Sequence, residues 1–405
     1  MVSIKTSSSS WLYNAKIRSY IFQAIVLLGL IFSLMWFVDN TLTNLQAQGK
    51  NLGFGFLDQN AGFQIGKTLG TYLLGYTVGN SSYLDVYYIG IINTFLVAAL
   101  GIIIATILGF VIGIMRLSSN LVINGFATIY VEVLRNVPLL LQLFFWYFAV
   151  LRALPDRRNK IDLAGEYAGI NITGLYLPAP LPQAGFSIVA AVFGLALFGW
   201  YMLSKWSQNR QMNTGQTFPV FWTGIGIVFV GTALAYFITG QPLDWSLPVF
   251  KDTGAMLRRG FQSGQGMVLI PEFIAILLAL ALYTAAFIAE IVRAGIIAIA
   301  KGQTEASYSL GLRPGVTLRL IIIPQALRII IPPLTSQYLN LTKNSSLAVA
   351  IAYPELVSIF AGTALNQVGK EIEMIFMMMS VYLTFSIVTS IFMNWFNARV
   401  KLVER

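Results

Sequence analysis

Neither cysteine nor histidine occurs in the 405 residues, and only 10% of them are charged. Without cysteine there is no disulfide framework and no thiolate nucleophile. Without histidine as well, the usual zinc ligand sets and histidine general-base chemistry are excluded, so the chain is not expected to be an enzyme or to bind a metal. The scarcity of charge excludes still more. An average soluble domain carries roughly 25% charged residues, and a chain that is 57% hydrophobic cannot cover several cores with a solvated surface. The apolar excess has to face hydrocarbon. The formal charge is +10, yet the basic residues are scattered between apolar runs and form no dense stripe or arm, which argues against nucleic acid as a partner.

What the chain does contain is long apolar runs. A helix needs about 20 residues to cross the hydrocarbon, and eight runs are long enough or nearly so: 20–38, 88–115, 129–150, 186–203, 219–239, 272–300, 345–361 and 374–396. The stretch 321–341 is apolar too, but Pro324, Pro332 and Pro333 interrupt it, which predicts a bent or re-entrant connection. The first run follows Lys16 and Arg18 like a secretory signal; its length and the Trp36-Phe37-Asp39 surroundings predict a retained anchor instead. The fold class is therefore all-α integral membrane, with about eight transmembrane helices surrounded by lipid.

Orientation follows from basic residues near the span ends. With the N-terminus inside, the inner side receives 16 of the 26 lysines and arginines. Lys5, Lys16, Arg18, Arg116, Arg135, Arg293, Lys301, Arg313, Arg328, Lys343, Arg399, Lys401 and Arg405 are among them. Both termini are expected to be cytoplasmic. Three long outer segments, 39–87, 151–185 and 240–271, lack the alternation of a sizeable β domain, and Pro178, Pro180 and Pro182 make part of the second an extended, turn-rich linker. Gly109 and Gly113 form a GxxxG within a span, which marks close helix packing. The stretch Ala61–Thr68 imitates a phosphate-binding loop, but Ala61 stands where the first glycine is required. ATP, if used, must be bound by another subunit, and no cofactor is expected on this chain.

The most informative segment is the loop after the sixth run: Glu305-Ala306-Ser307-Tyr308-Ser309-Leu310-Gly311, nine further residues, then Ile321-Ile322-Ile323-Pro324. Physically it reads as a short surface helix closed by Gly311 and followed by a turn at Arg313-Pro314-Gly315. Such a helix can dock in a groove of a cytoplasmic partner and transmit that partner's motion to the spans. The spacing resembles the E-A-A, three residues, G, nine residues, I-x-L-P signature of type I permeases of ATP-binding-cassette importers, with Ser307 for the second alanine and Ile323 for leucine. Arg135–Phe144, Tyr283–Ile296 and Lys343–Leu347 resemble flanking segments of the polar amino-acid permeases, in the same order, and an enlarged permease of this kind resembles a subunit of the general L-amino-acid importers.

The resemblance implies alternating access, driven by two cytoplasmic ABC ATPase subunits and fed by a periplasmic amino-acid-binding protein. It implies a second permease subunit and a bacterial inner-membrane location. The coupling residues would be Glu305, Ala306, Ser307, Gly311, Ile321 and Pro324. It divides the chain into an N-terminal anchor with an external segment (1–87), a first core part (88–150), an insertion with two extra spans (151–271), and a second core part (272–405) that contains the coupling loop (301–324). Polar groups within spans need a reason, because each is costly in hydrocarbon. Gln142, Asn344 and Ser345 are uncharged groups able to hydrogen-bond a zwitterion, and Glu290 pairs with Arg293, as Glu132 does with Arg135, at i,i+3 spacing. Gln142, Glu290, Asn344 and Ser345 are the candidate pathway residues. The competing reading, an ion-coupled secondary transporter of small polar solutes, should bring inverted repeats and charges near the midplane; no such repeat is found.

Overall fold

The computed structural model describes residues 15–47, 49, 52–165, 167–252, 259–262 and 264–400; the two termini, with Lys5, Lys401 and Arg405, lie outside this set. The chain forms two units, Met1–Leu57 and Asp58–Arg405. In the first, α1 (Ala15–Ala47) is a 33-residue helix apolar enough to cross a membrane, and none of its residues is buried.

The second unit begins with the short α2 (Leu69–Leu73), capped by reciprocal bonds between Thr68 and Thr71; Thr68, the end of the loop-like stretch noted above, is its N-cap. There follow α3 (Tyr83–Met115), α4 (Leu121–Asn136) and α5 (Leu139–Ala153). The run 129–150 was expected to be a single span. It is instead a pair of helices bent by 107°, because Val137 precedes Pro138 and takes an extended ψ of 127°, the conformation that proline imposes on the residue before it.

The insertion contains the two expected spans, α6 (Phe186–Thr214) and α7 (Val220–Ile238), but its flanks are more ordered than a linker. Among the described residues, eight short strands flank the helical hairpin in sequence. The first three, β1 (Ile161–Asp162), β2 (Gly169–Asn171) and β3 (Gly174–Leu177), pair with β8 (Met267–Leu269), beyond the hairpin, in an antiparallel sheet ordered β1-β2-β3-β8. The strand β4 (Ala179–Pro182) pairs with β5 (Leu243–Ser246), and β6 (Phe250–Lys251) with β7 (Gly260–Phe261). Strands of two to four residues are too short for alternation to show. The prolines of β4 fall at every second position, where an N–H points away from the partner strand and is not needed.

The core closes with α8 (Pro271–Ile297), α9 (Lys301–Ser309), α10 (Pro314–Ile351) and α11 (Glu371–Val400). Among the described residues there are seven span-length apolar helices, or eight with the bent pair as one. Two expectations are corrected here. The stretch 321–341 is not re-entrant: it lies within one 38-residue span-length helix, α10, which contains Pro332 and Pro333 without a break. Buried Ile330, Ile331 and Leu334 on the same helix hold it in place, and breaking it would strip further backbone groups of their partners in a medium that offers none. The run 345–361 is accordingly not a span. Ser345–Ile351 ends α10 as a 3-10 turn, Ala352 adopts a left-handed φ of 56°, and a short helix, Val357–Ala364, follows. Lys343, expected in an inner loop, lies far along α10.

The main seam of the core is α3 against α8, and the GxxxG glycines make it. A Cβ on Gly109 would lie 2.5 Å from Ile288 Cγ2, and one on Gly113 would lie 2.7 Å from the Ala289 carbonyl oxygen. Helices approach this closely in lipid only through small residues, because dispersion contact has to replace the missing hydrophobic drive.

Candidate coupling helix and ion cluster

The signature residues build a rigid projecting helix. α9 is nine residues long, and its end is a Schellman motif: the Leu312 N–H bonds the Ser307 carbonyl at 3.1 Å, and the Gly311 N–H bonds the Tyr308 carbonyl at 2.9 Å. This closure requires the left-handed φ of +76° at Gly311, which costs a residue with a Cβ about 1–2 kcal/mol. Arg313 and Pro314, expected in a turn, are instead the N-cap and first residue of α10, where proline's fixed φ and missing N–H are harmless. Ile321 lies in a π-helical turn, Leu318–Ile322, and Pro324 stands just after it in the next helical stretch. The loop between α9 and α10 therefore ends near Arg313, and Ile321 and Pro324 belong to the span-length helix.

One side of α9 is tied down. Ser307 is 2% exposed and its hydroxyl donates to the Gln303 carbonyl at 2.5 Å, while Gln325 of α10 donates to the Gln303 side chain at 3.2 Å. The other side is free: Glu305 and Ala306 are exposed, and so are Tyr308 and Leu310, the latter 80% exposed. An anchored helix that displays an acid, a methyl group and two large apolar side chains is suited to insertion in a partner's groove.

At the ends of α3 and α4 and near the end of α8, five charged residues meet. Glu290 Oε1 accepts from Arg293 Nη2 at 2.5 Å, and Glu290 Oε2 is bonded by Arg116 from α3 and approached at 4.0 Å by Arg135 from α4. The expected Glu132–Arg135 pairing is replaced by contacts across helices. Glu132 faces Arg116 at 3.8 Å, and Arg135 lies over the Phe287 ring, 5.3 Å from its centroid. Both side chains reach toward α3 and α8 because the counter-charges lie there. Arg116 is the C-cap of α3, where the helix dipole favours a cation.

The other pathway candidates are scattered. Gln142 is buried and its amide nitrogen donates to the Leu134 and Val137 carbonyls at 2.8 and 2.9 Å, which holds the α4–α5 bend. Ser345 is buried and donates to the Thr342 carbonyl at 2.7 Å, and Asn344 is half-buried beside it. The structure gathers neither these residues nor Glu290 into one cluster.

A buried polar group around Glu355 was not singled out from the sequence. Glu355 is 1% exposed; its carboxylate accepts from the Val357 and Ser358 N–H groups at 2.8 and 2.7 Å and from the Tyr382 hydroxyl of α11 at 3.1 Å. Asn93 of α3 donates to the Pro354 carbonyl at 2.7 Å, and the Leu356 N–H bonds Thr94 at 3.1 Å. The segment after α10 is thus pinned to α3 and α11. The signal was present, since an acid and a proline inside a supposed span, and an Asn-Thr pair inside another, each need buried partners. Glu355→Ala is expected to destabilise the chain by at least ~2 kcal/mol, because it leaves buried donors unpaired, whereas Glu355→Gln retains an acceptor and part of that loss. Thermal denaturation of the purified protein checks this; an alanine variant as stable as wild type would show that the anchor contributes nothing.

A multi-span core, an anchored surface helix and an ion cluster at the helix ends define a membrane permease subunit, a transport component built to work with partners. The chain belongs to the family described as the binding-protein-dependent transport system inner membrane component, which matches residues 205–402. It is 47% identical over 396 residues to the protein YhdX of Escherichia coli (strain K12), covering 97% of this chain and 96% of that one. It is 45% identical over 402 residues to the general L-amino acid transport system permease protein AapQ of Rhizobium johnstonii, covering 98% and 96%. It is 40% identical over 428 residues to the glutamate/glutamine/aspartate/asparagine transport system permease protein BztB of Rhodobacter capsulatus, covering 98% and 97%.

Proposed function

We propose that this chain is a permease subunit of an ATP-driven importer that moves L-amino acids, polar or of broad range, across the bacterial inner membrane by alternating access. The observation that carries the proposal is the capped, anchored α9 with its exposed Glu305, Ala306, Tyr308 and Leu310. Two cytoplasmic ATPase subunits bind ATP and push on α9; a second, related permease subunit completes the pathway; a soluble periplasmic protein delivers the amino acid. The relatives' names support the substrate class. Both termini lie on the cytoplasmic side, as the basic residues near the span ends require. Asn344 borders the pathway, and Gln142, Glu290 and Ser345 hold its walls through the bonds described above.

The test is uptake of labelled glutamine by cells that carry the complete importer with Gly311→Val. A β-branched residue at positive φ breaks the cap, so uptake and ATPase co-purification should both fall at least about tenfold while the chain still inserts. Gly311→Asn, which tolerates the left-handed conformation, should keep most of the activity. Wild-type uptake that persists after ATP depletion and collapses with the ion gradient would point to the secondary transporter instead.

A further inference from the structure

The structure contains a second unusual arginine, outside the ion cluster, at the α9 end of α10. Arg328 lies on α10, about 21 Å along the helix from Pro314 at ~1.5 Å per residue. Its neighbour Ile330 packs so closely on Gly295 that a Cβ there would lie 2.4 Å from Ile330 Cγ1, which sets Arg328 level with the end of α8. Its Nε and Nη2 are shut off from solvent and donate to no acceptor among the described residues. A guanidinium remains charged at any working pH, and donor nitrogens of a partly buried cation that are shut off from solvent without an acceptor are costly.

The geometry of the two nitrogens names the ligand. Nε and Nη2 share one edge of the planar guanidinium, and their N–H bonds run side by side to match the two oxygens of one carboxylate. The same edge is used that way elsewhere in this chain: Arg293 donates from Nε to Glu290 Oε2 at 3.2 Å and from Nη2 to Glu290 Oε1 at 2.5 Å. For Arg328 no described residue supplies that carboxylate, which points to one from outside the chain. Its surroundings favour a solute over a lipid or a neighbouring helix. Gln325, Arg328, Thr335, Ser336, Asn340 and Lys343 recur at intervals that put them along one side of α10, and Ser336, Asn340 and Lys343 are exposed. A span that displays such a stripe to hydrocarbon would be heavily penalised, so the stripe borders water.

We propose that Arg328 receives the α-carboxylate of the transported amino acid in the inner half of the pathway, before release to the cytoplasm. The assignment rests on the importer reading above. It is tested on the complete permease–ATPase complex, purified without the soluble binding protein, by displacing bound labelled glutamine with unlabelled glutamine or with glutaminamide, in which the α-carboxylate is replaced by an amide. The wild-type complex should favour glutamine by at least about tenfold, the value of a charge-assisted bond or two. Arg328→Gln should bind glutamine at least about tenfold more weakly and lose the discrimination. Arg328→Lys, a point charge without the fork, should recover only part of it.

A glutamine variant that keeps the wild-type preference overturns the assignment. So does one that sheds the second permease subunit while its assembled fraction still discriminates, because the carboxylate would then be a side chain of that subunit. The importer reading is judged separately by ATP-dependent uptake through the wild-type complex; if that is absent, both readings fall, and if it is present, only the Arg328 assignment is at stake.

Discussion

Gly113→Leu should prevent α3 from docking on α8 and leave little or no folded protein in the membrane. A single added carbon at this position would sit 2.7 Å from the Ala289 backbone oxygen and 2.8 Å from Val292 Cβ. The oxygen belongs to a helix backbone that cannot turn aside, so the helices must separate. Overpacking by a methyl group alone costs typically about 1–3 kcal/mol, and an isobutyl group against the partner backbone in the main seam costs the seam itself. The measurement is the yield of protease-resistant protein in membranes. The control is Gly125→Leu in α4, where nothing lies within 4 Å of the added carbon and normal yield is expected. If both variants accumulate equally, the α3–α8 contact is not what holds the core.

The second large effect is expected at the ion cluster, and its form is more diagnostic than its size. Glu290→Ala removes the acid shared by Arg116, Arg293 and Arg135 and leaves Arg116, whose side chain is 11% exposed, beside two other cations with only the exposed Glu132, 3.8 Å away, as an acid among the described residues. Removing one partner of a buried pair costs about 3–5 kcal/mol; Glu290 is 25% exposed, which reduces the expectation to roughly 2 kcal/mol. The double variant Glu290→Ala with Arg116→Met should be more stable than Glu290→Ala alone, because the stranded cation goes with its partner. Thermal denaturation of the purified complexes reads the order directly. Strict additivity of the two changes would mean that the residues do not form a pair and that Glu290 is free for another role.

The residues of the signature helix were legible from the sequence because the requirements there are local. A glycine at a helix end, a proline at the start of the next helix and a fixed spacing between them carry their own geometry, and Gly311 adopts the left-handed φ that its position demanded. The spans were legible for a similar reason, since hydrocarbon thickness sets a length that composition reveals. The errors fell where a local rule met a non-local competitor. Pro332 and Pro333 suggested a break, but the burial of Ile330, Ile331 and Leu334 in the core kept α10 continuous. The prolines of β4 suggested a linker, but β5, more than 60 residues further on by register, supplied a strand to pair with.

By itself, the sequence determined that this protein lives in a bilayer, that it contains no thiol or imidazole chemistry, where α9 ends, and that Gly109 and Gly113 mark a close helix contact. These follow from composition and from conformational preferences within a few residues. Only the tertiary structure decided which charges meet at Glu290, that Glu355 pins the segment after α10, that the insertion is a helical hairpin flanked by paired strands, and that Arg328 Nε and Nη2 find no acceptor among the described residues. Each of those depends on residues tens to hundreds of positions apart being brought within hydrogen-bonding distance, and a helix face or a strand edge acquires its partner only when the whole chain has packed.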